Sequence, residues 1–292
     1  MTSRDWHLPT GVAATDMYAV EITPDTAGWT YSSLRVLNLA AGGEHAVETG
    51  DSEMLVLPLS GSATVSCDGS TFDLVGRASV FEDRTDFAYL PRDAAATVAS
   101  ADGGRFALPG ARCDSRSKAR YGPAADVLVE LRGAGPSSRQ VNAICMPETF
   151  PAQRLLVCEV LTPAGNWSSY PPHKHDDEQA GESVLEEIYY FQIRREAGVP
   201  GEGGVGFQRV YGPGIDVLAE VRDGDVVLVP HGWHGPSMAV PGYDMYYLNV
   251  MAGPSPQRSW TISFDPDHAW IRDGWAGQRV DPRLPMTGGS QP

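Results

Sequence analysis

Lysine is almost missing from this chain. Lys118 and Lys174 are the two lysines in 292 residues, and arginine supplies the other cations. Any anion site is therefore expected to be built from arginine, whose planar guanidinium can grip a carboxylate bidentately. Positive charge as a whole is also short: Lys plus Arg number 22 against 37 Asp plus Glu, a net charge of −15, with no basic stripe to offset it. That balance excludes nucleic acid as a partner, because such binding rests on neutralising phosphates. No apolar run approaches the roughly 20 residues needed to span a bilayer. The opening MTSRDWHLPTGV lacks a basic stretch leading into an apolar one, so neither a membrane role nor secretion is expected and the location is read as cytoplasmic. The four cysteines, Cys67, Cys113, Cys145 and Cys158, show no CxxC or other metal-type spacing. Reduced thiols are the expectation.

Long amphipathic helical patterns are scarce too. In their place are short runs rich in Val, Leu, Ile and Tyr, bounded by turn residues: EMLVLPLSG, RLLVCEVLTPAG, EEIYYFQI, DVVLVPHG and YDMYYLNVMAG. Runs of this length and composition read as strands, and VRDGDV between two of them reads as a hairpin turn. The fold class is all-β, of sandwich or barrel type. RGAGPSSRQ (132–140) combines Gly, Pro and Ser near the midpoint and suggests a linker between a domain at 1–135 and another at 136–292. The halves are faintly alike: setting Pro91 against Pro230 places Ala95 where the second half has His234. In the stretch GGEHAVETGDSEMLVLPLSG, Ala46 and Val47 stand where a second histidine is needed, so the first half is expected to hold no metal, with His45 structural. The tail after Trp275 reads as surface-hugging or disordered chain.

The stretch PPHKHDDEQAGESVLEEIYYFQI (171–193) concentrates chemistry. Residues i and i+2 of a strand share a face, so His173 and His175 can point into one cavity while Lys174 points away. Glu187 opens the apolar run IYYFQI as a carboxylate at a strand start, and His234 in PHGWHG offers a third imidazole. Three imidazoles and a carboxylate suit a divalent cation with positions left open for substrate. Glu178, Glu182 and Glu186 are rivals for the carboxylate role. Glu187 is preferred because Glu178 and Glu182 sit in a loop-like insertion (176–186) and Glu186 has the opposite strand parity.

In this order, His-x-His, then Glu at a strand start, then Gly224 with five residues to Pro230 and a nearby His, the residues resemble the cupin fold. Eleven residues separate His175 from Glu187 where three or four are usual in that fold, and Arg194 stands where its first motif ends in glycine. His234 lies one residue nearer than the commonest spacing, and His231 is an extra histidine. PPHKHD, LEEIYYF, GFQRVYG, GDVVLVPHGWH and PGYDMYYLNVMAGP together look like the 5-deoxy-glucuronate isomerases of inositol catabolism, relatives of the 5-keto-4-deoxyuronate isomerases. The resemblance covers residues 140–275 strongly and the first half weakly. It implies a bicupin, two double-stranded β-helix barrels, holding one divalent metal ion per chain, Zn or Mn first and Fe or Ni as alternatives. It also implies an aldose–ketose isomerase acting on a small sugar acid. Tyr247 and Glu187 are the candidates for the proton-transferring group, and Arg209 in GFQRVYG for the substrate carboxylate. The 176–186 insertion is expected to act like a lid. PDHAWIRDGWAG (266–277) is expected to pack, dock or close the pocket. Another uronate as substrate, an iron dioxygenase and a non-catalytic binding protein stay open, as does assembly into a homo-oligomer.

Overall fold

The computed structural model describes residues 6–196, 199 and 203–287, and strands dominate it. Between Val20 and Gly122 the chain builds one nine-stranded sheet that curls on itself. Its axis is the sixteen-residue strand Ser52–Cys67. The first part of that strand pairs with Phe87–Leu90 and Gly104–Arg112, the second with Ser70–Arg77 and Ala95–Ser100. Register shifts at Pro58–Ser60 and Gly61–Ala63 bend the strand from one wall to the other. Gly61 sits at φ +83, and a Cβ there would collide with the Gly103 carbonyl, so glycine is required.

The rest of the chain builds two facing sheets. One runs, in spatial order, His7–Leu8, Val226–Val229, Glu186–Arg195, Tyr243–Ala252, Leu156–Thr162, Arg139–Cys145 and Leu128–Arg132. The other comprises Ile215–Val221, Gly206–Gly212, Trp233–Ala239, His173–Lys174 and Ser263–Phe264, with Trp167–Ser168 beside Trp233–Ala239. The seven-stranded sheet is buried on both faces, which is why its strands read as continuous apolar runs rather than alternating ones. Tyr189, Phe191, Val227, Val229 and Tyr247 face the second sheet. Ile188, Tyr190, Tyr246, Leu248 and Val250 face the other way and share a core with Leu34, Val36, Leu55 and Leu57 of the first half.

Polar contacts lock that shared core. Arg77 of the first half ion-pairs with Glu159 of the second, both side chains fully buried. Glu159 also accepts from Asn142 Nδ2 (3.1 Å) and Tyr246 Oη (2.9 Å), and Arg77 donates to the carbonyl of Pro58 (3.0 Å). Two glutamates that open long strands act reciprocally. The buried Glu53 carboxylate accepts from the backbone N–H groups of Gln153, Arg154 and Leu155 at 2.6–2.8 Å. Glu186 accepts from those of Thr30, Tyr31 and Ser32 at 2.7–2.8 Å.

One expectation changes. The 132–140 segment is not a linker: Arg132 pairs with Arg139 in an antiparallel hairpin, and its Gly and Pro residues build the turn. Gly133 has φ +77, and a Cβ there would meet the Ser137 carbonyl. A boundary at 135 would cut this hairpin, and His7–Leu8 pairs with Val226–Val227 of the second half. The tail follows the surface-hugging alternative. Up to Thr287 it docks, with Met286 and Thr287 N–H groups donating to Gln140 Oε1 (2.7 and 3.2 Å) and Arg283 to the Ala164 carbonyl (2.9 Å); residues 288–292 lie outside the described residues. All four cysteines are free and buried. Among the described residues no helix is long and apolar enough to cross a membrane.

Removing one partner of a buried ion pair leaves an uncompensated charge, which destabilises by about 3–5 kcal/mol. Arg77→Ala is expected to lose that much in denaturant unfolding, while the paired change Arg77→Met with Glu159→Leu loses less than Arg77→Ala alone. A double variant weaker than the single would contradict the ion-pair account.

Candidate metal centre and its cavity

Strand parity delivers Glu187 to the inner side of the seven-stranded sheet, with Tyr189 and Phe191 behind it on the same face. The facing sheet supplies the histidines: His173 pairs directly with His234 across adjacent strands. His175 Nε2 lies 3.0 Å from Glu187 Oε2, and His234 Nε2 lies 3.1 Å from the same oxygen. The ligand atoms of His175, Glu187 and His234 all fall within 4.8 Å of one another, and all three residues are buried. His173 stands beside them, its ring 4.3 Å from that of His234, but outside the three-residue cluster.

The donor set fits a cation. His234 Nδ1 lies 3.1 Å from the Gly232 carbonyl, a contact that requires the proton on Nδ1 and turns the Nε2 lone pair toward Glu187. A lone pair facing a carboxylate oxygen in a buried site is unfavourable unless positive charge lies between them. In agreement, His234 Nε2 and Glu187 Oε1 are both buried without a hydrogen-bond partner. Without a cation the same imidazoles face Glu187 as protonated donors instead: burial alone would raise its pKa, yet His234 and His175 outweigh it and hold the carboxyl well below its usual range. His173 is pushed well below its ordinary value by burial, with His234, His175 and Arg139 adding to the effect and Glu187 opposing it. Its imidazole is neutral at pH 7, as a metal ligand must be.

The long spacing between His175 and Glu187 is absorbed by a closed loop. The Leu185 N–H returns to the His175 carbonyl (3.0 Å), so the two ligands meet as they would across a short turn. Lys174 Nζ bonds Asp176 Oδ1 (2.7 Å) and Glu182 Oε2 (2.9 Å), and Glu182 Oε2 also accepts from the Asp176 N–H (2.9 Å). The rival carboxylates are thereby accounted for: Glu182 serves the loop, Glu186 binds the first half, and Glu178 is exposed in a 3-10 turn. The insertion is no lid over the cavity, since none of its residues lines it. Instead Ser183 clasps Thr261 through two hydrogen bonds of 2.9 Å, bracing a segment whose Trp260 and Ile262 do line it.

That cavity, about 270 Å³, opens beside His173. Ser169 Oγ joins Tyr247 Oη (3.0 Å) and Tyr189 Oη (3.3 Å) on its wall. Burial raises the pKa of both phenols, so each keeps its proton at neutral pH and acts as a donor. Arg209 does not reach the cavity. It lies on the other side of its strand from the buried Gln208 and Val210, where it ion-pairs with Asp216 and donates to the Val217 carbonyl (2.9 Å). Arg132, Arg139 and Arg272 line the cavity instead. Sequence reading missed Arg139 because it closes the turn taken for a linker. Arg272 and Trp275 lie within PDHAWIRDGWAG, which does reach the pocket. His231 is exposed, and His45 bonds Tyr18 Oη (2.9 Å) in the first half.

The KduI/IolB family profile matches residues 7–271. A protein named 5-deoxy-glucuronate isomerase from Geobacillus kaustophilus (strain HTA426) is 44% identical over 259 residues, 87% of this chain and 90% of its own length. The crystal structure of an IolB-like protein from Salmonella typhimurium LT2 is similar at TM-score 0.83 and 34% identity, covering 92% of this chain and 99% of that one. Oxalate decarboxylase from Lactobacillus farciminis has TM-score 0.62 at 12% identity, covering 90% and 89%, a likeness of fold alone. The architecture is the two-barrel cupin fold.

The Glu182 carboxyl is buried, which would raise its pKa, but the bonds from Lys174, Ser263 and the Asp176 and Asp177 N–H groups bring it below the ordinary value. A carboxyl with a depressed folded pKa stabilises fully above its unfolded value of about 4.3 and loses that stabilisation as pH falls through the folded value. Limited proteolysis is expected to leave residues 176–185 intact at pH 7 and to cut Glu182→Gln there at the same pH. Equal resistance of the two proteins at pH 7 would contradict the loop's dependence on this carboxylate.

Proposed function

The chain belongs to the KduI/IolB family, and we infer from that membership and from the site that it interconverts 5-deoxy-glucuronate and 5-dehydro-2-deoxygluconate in inositol catabolism. The observation that carries this reading is the convergence of His175 Nε2 and His234 Nε2 on one oxygen of Glu187, beside a cavity lined by protonated phenols. His175, Glu187 and His234 would hold one divalent cation, with His173 placed to join them. Zinc or manganese suits this set of nitrogen and oxygen donors, which also accepts iron or nickel. No other group of His, Cys, Asp and Glu among the described residues forms such a cluster, in keeping with one ion per chain. The four unpaired thiols agree with a cytoplasmic protein.

Aldose–ketose isomerisation moves a proton between C2 and C1 and exchanges another between the two oxygens. What a bound cation supplies is Lewis-acid stabilisation of the enediolate. Tyr247 serves as the proton donor at a substrate oxygen, held in place by Ser169 Oγ, which also connects it to Tyr189. Glu187 is committed to the cluster through Oε2 and acts as a ligand rather than as the base.

In D₂O, an NMR time course with 5-deoxy-glucuronate is expected to show conversion to the ketose, abolished by a chelator and restored by a divalent metal. Failure of fully metallated protein to convert it, with turnover of another uronate, would shift the substrate; oxygen consumption would shift the reaction to a dioxygenase. His175→Ala is expected to lose the bound metal, read by elemental analysis, together with activity. Tyr247→Phe is expected to retain the metal and lower kcat by about 10²-fold or more; an unchanged kcat would remove Tyr247 from the chemistry.

A further inference from the structure

We propose that Arg139 and Arg272 form the site that binds the substrate's carboxylate, an assignment that rests on the sugar-acid reading above. A chain of net charge −15 places three guanidinium groups on the wall of one cavity and no carboxylate among its lining residues. Arg132 is balanced by Glu130 at 2.7 Å. Arg139 and Arg272 have no Asp or Glu partner among the described residues. Arg139 Nη1 donates to the carbonyls of Ser137 (3.1 Å) and Tyr170 (3.4 Å), which anchors the group while its other N–H edge stays uncommitted. Each planar head rests on an aromatic ring. Arg139 lies over Trp275 (5.8 Å) and Arg272 over Phe264 (4.3 Å), whose ring centre is 6.3 Å from that of His173. Stacking of this kind fixes the fork and leaves its edges for bidentate bonds to an oxyanion.

Arg139 also bears the strain expected of a site awaiting an anion. Burial, with repulsion from Arg132 and Arg272 added, pushes its pKa down to about 10. Asn249 Nδ2, Trp260 Nε1 and Trp275 Nε1 are buried donors without an acceptor, and all three residues line this cavity. A wall with guanidinium groups and no carboxylate selects an anion, a short sugar acid rather than a neutral sugar or a cation.

The test uses metal-loaded enzyme, with D-glucuronate and its uncharged amide, D-glucuronamide, as calorimetric probes beside 5-deoxy-glucuronate kinetics. Wild-type protein is expected to prefer glucuronate. Arg139→Gln and Arg272→Gln are each expected to weaken glucuronate binding and raise KM by about 10- to 100-fold, with kcat changing less. Their affinity for glucuronamide stays near wild type. Unchanged KM and an unchanged preference for glucuronate in both variants would overturn the assignment. Where Arg139→Gln fails to fold, the exposed Arg272→Gln decides by the same readings. A wild type that prefers glucuronate, loses that preference in the variants and turns over no 5-deoxy-glucuronate would keep the carboxylate site and remove the substrate reading.

Discussion

A sheet buried on both faces cannot slip by one residue without exchanging its core for its chemistry. The strand Glu186–Arg195 lives under that constraint. Its odd residues, Glu187, Tyr189 and Phe191, face the site, and its even ones, Ile188 and Tyr190, face the first half. Tyr246 and Tyr247 divide in the same way on the neighbouring strand, one bonding Glu159 in the shared core and the other Ser169 at the cavity. Position and function are therefore fixed together against a one-residue slip, which would both remove Glu187 from the cluster and bury the wrong side chains between the halves.

The two halves show what the metal-type residues require and what happens without them. Glu53 and Glu186 occupy matching places at the openings of long strands and do the same work on each other's backbone. The next residue differs: Met54 pairs with Leu90 as Glu187 pairs with Val229, and Met54 is packed in apolar core. A carboxylate there would lack the imidazoles that hold Glu187 ionised. The first half has accordingly filled its interior with hydrophobic side chains, while the second keeps a polar one at the cost of buried atoms without partners.

Much of this was legible in the sequence, for physical reasons. Short runs rich in β-branched and aromatic residues specified strands, and Glu at a strand start with the two nearby histidine motifs pointed to His175, Glu187 and His234, which lie together; the i, i+2 rule was less exact, because the strand ends at Lys174 and His173 stands outside that cluster. The parity argument for Glu187 over Glu186 rested on the same period of two. Arg209 misled because a strand residue has even odds of facing inward, and nothing in GFQRVYG distinguishes the buried Gln208 and Val210 side from the Asp216 side. Arg139 was hidden for a different reason. Gly, Pro and Ser mark a turn and a linker alike, and only the pairing of Leu128–Arg132 with Arg139–Cys145 separates them. The 176–186 insertion looked like a lid because it is polar and lies between ligands; the hydrogen bonds that close it at Leu185 leave almost no mark on the sequence.

The reciprocal glutamates bear on how the molecule can be divided. Each half uses one carboxylate to satisfy three successive backbone N–H groups of the other, so separation would leave six amides and two buried-side carboxylates without their partners at once. Each half therefore completes the backbone hydrogen bonding of the other. The barrel of the first half thus serves as a mould for the strand that carries Glu187.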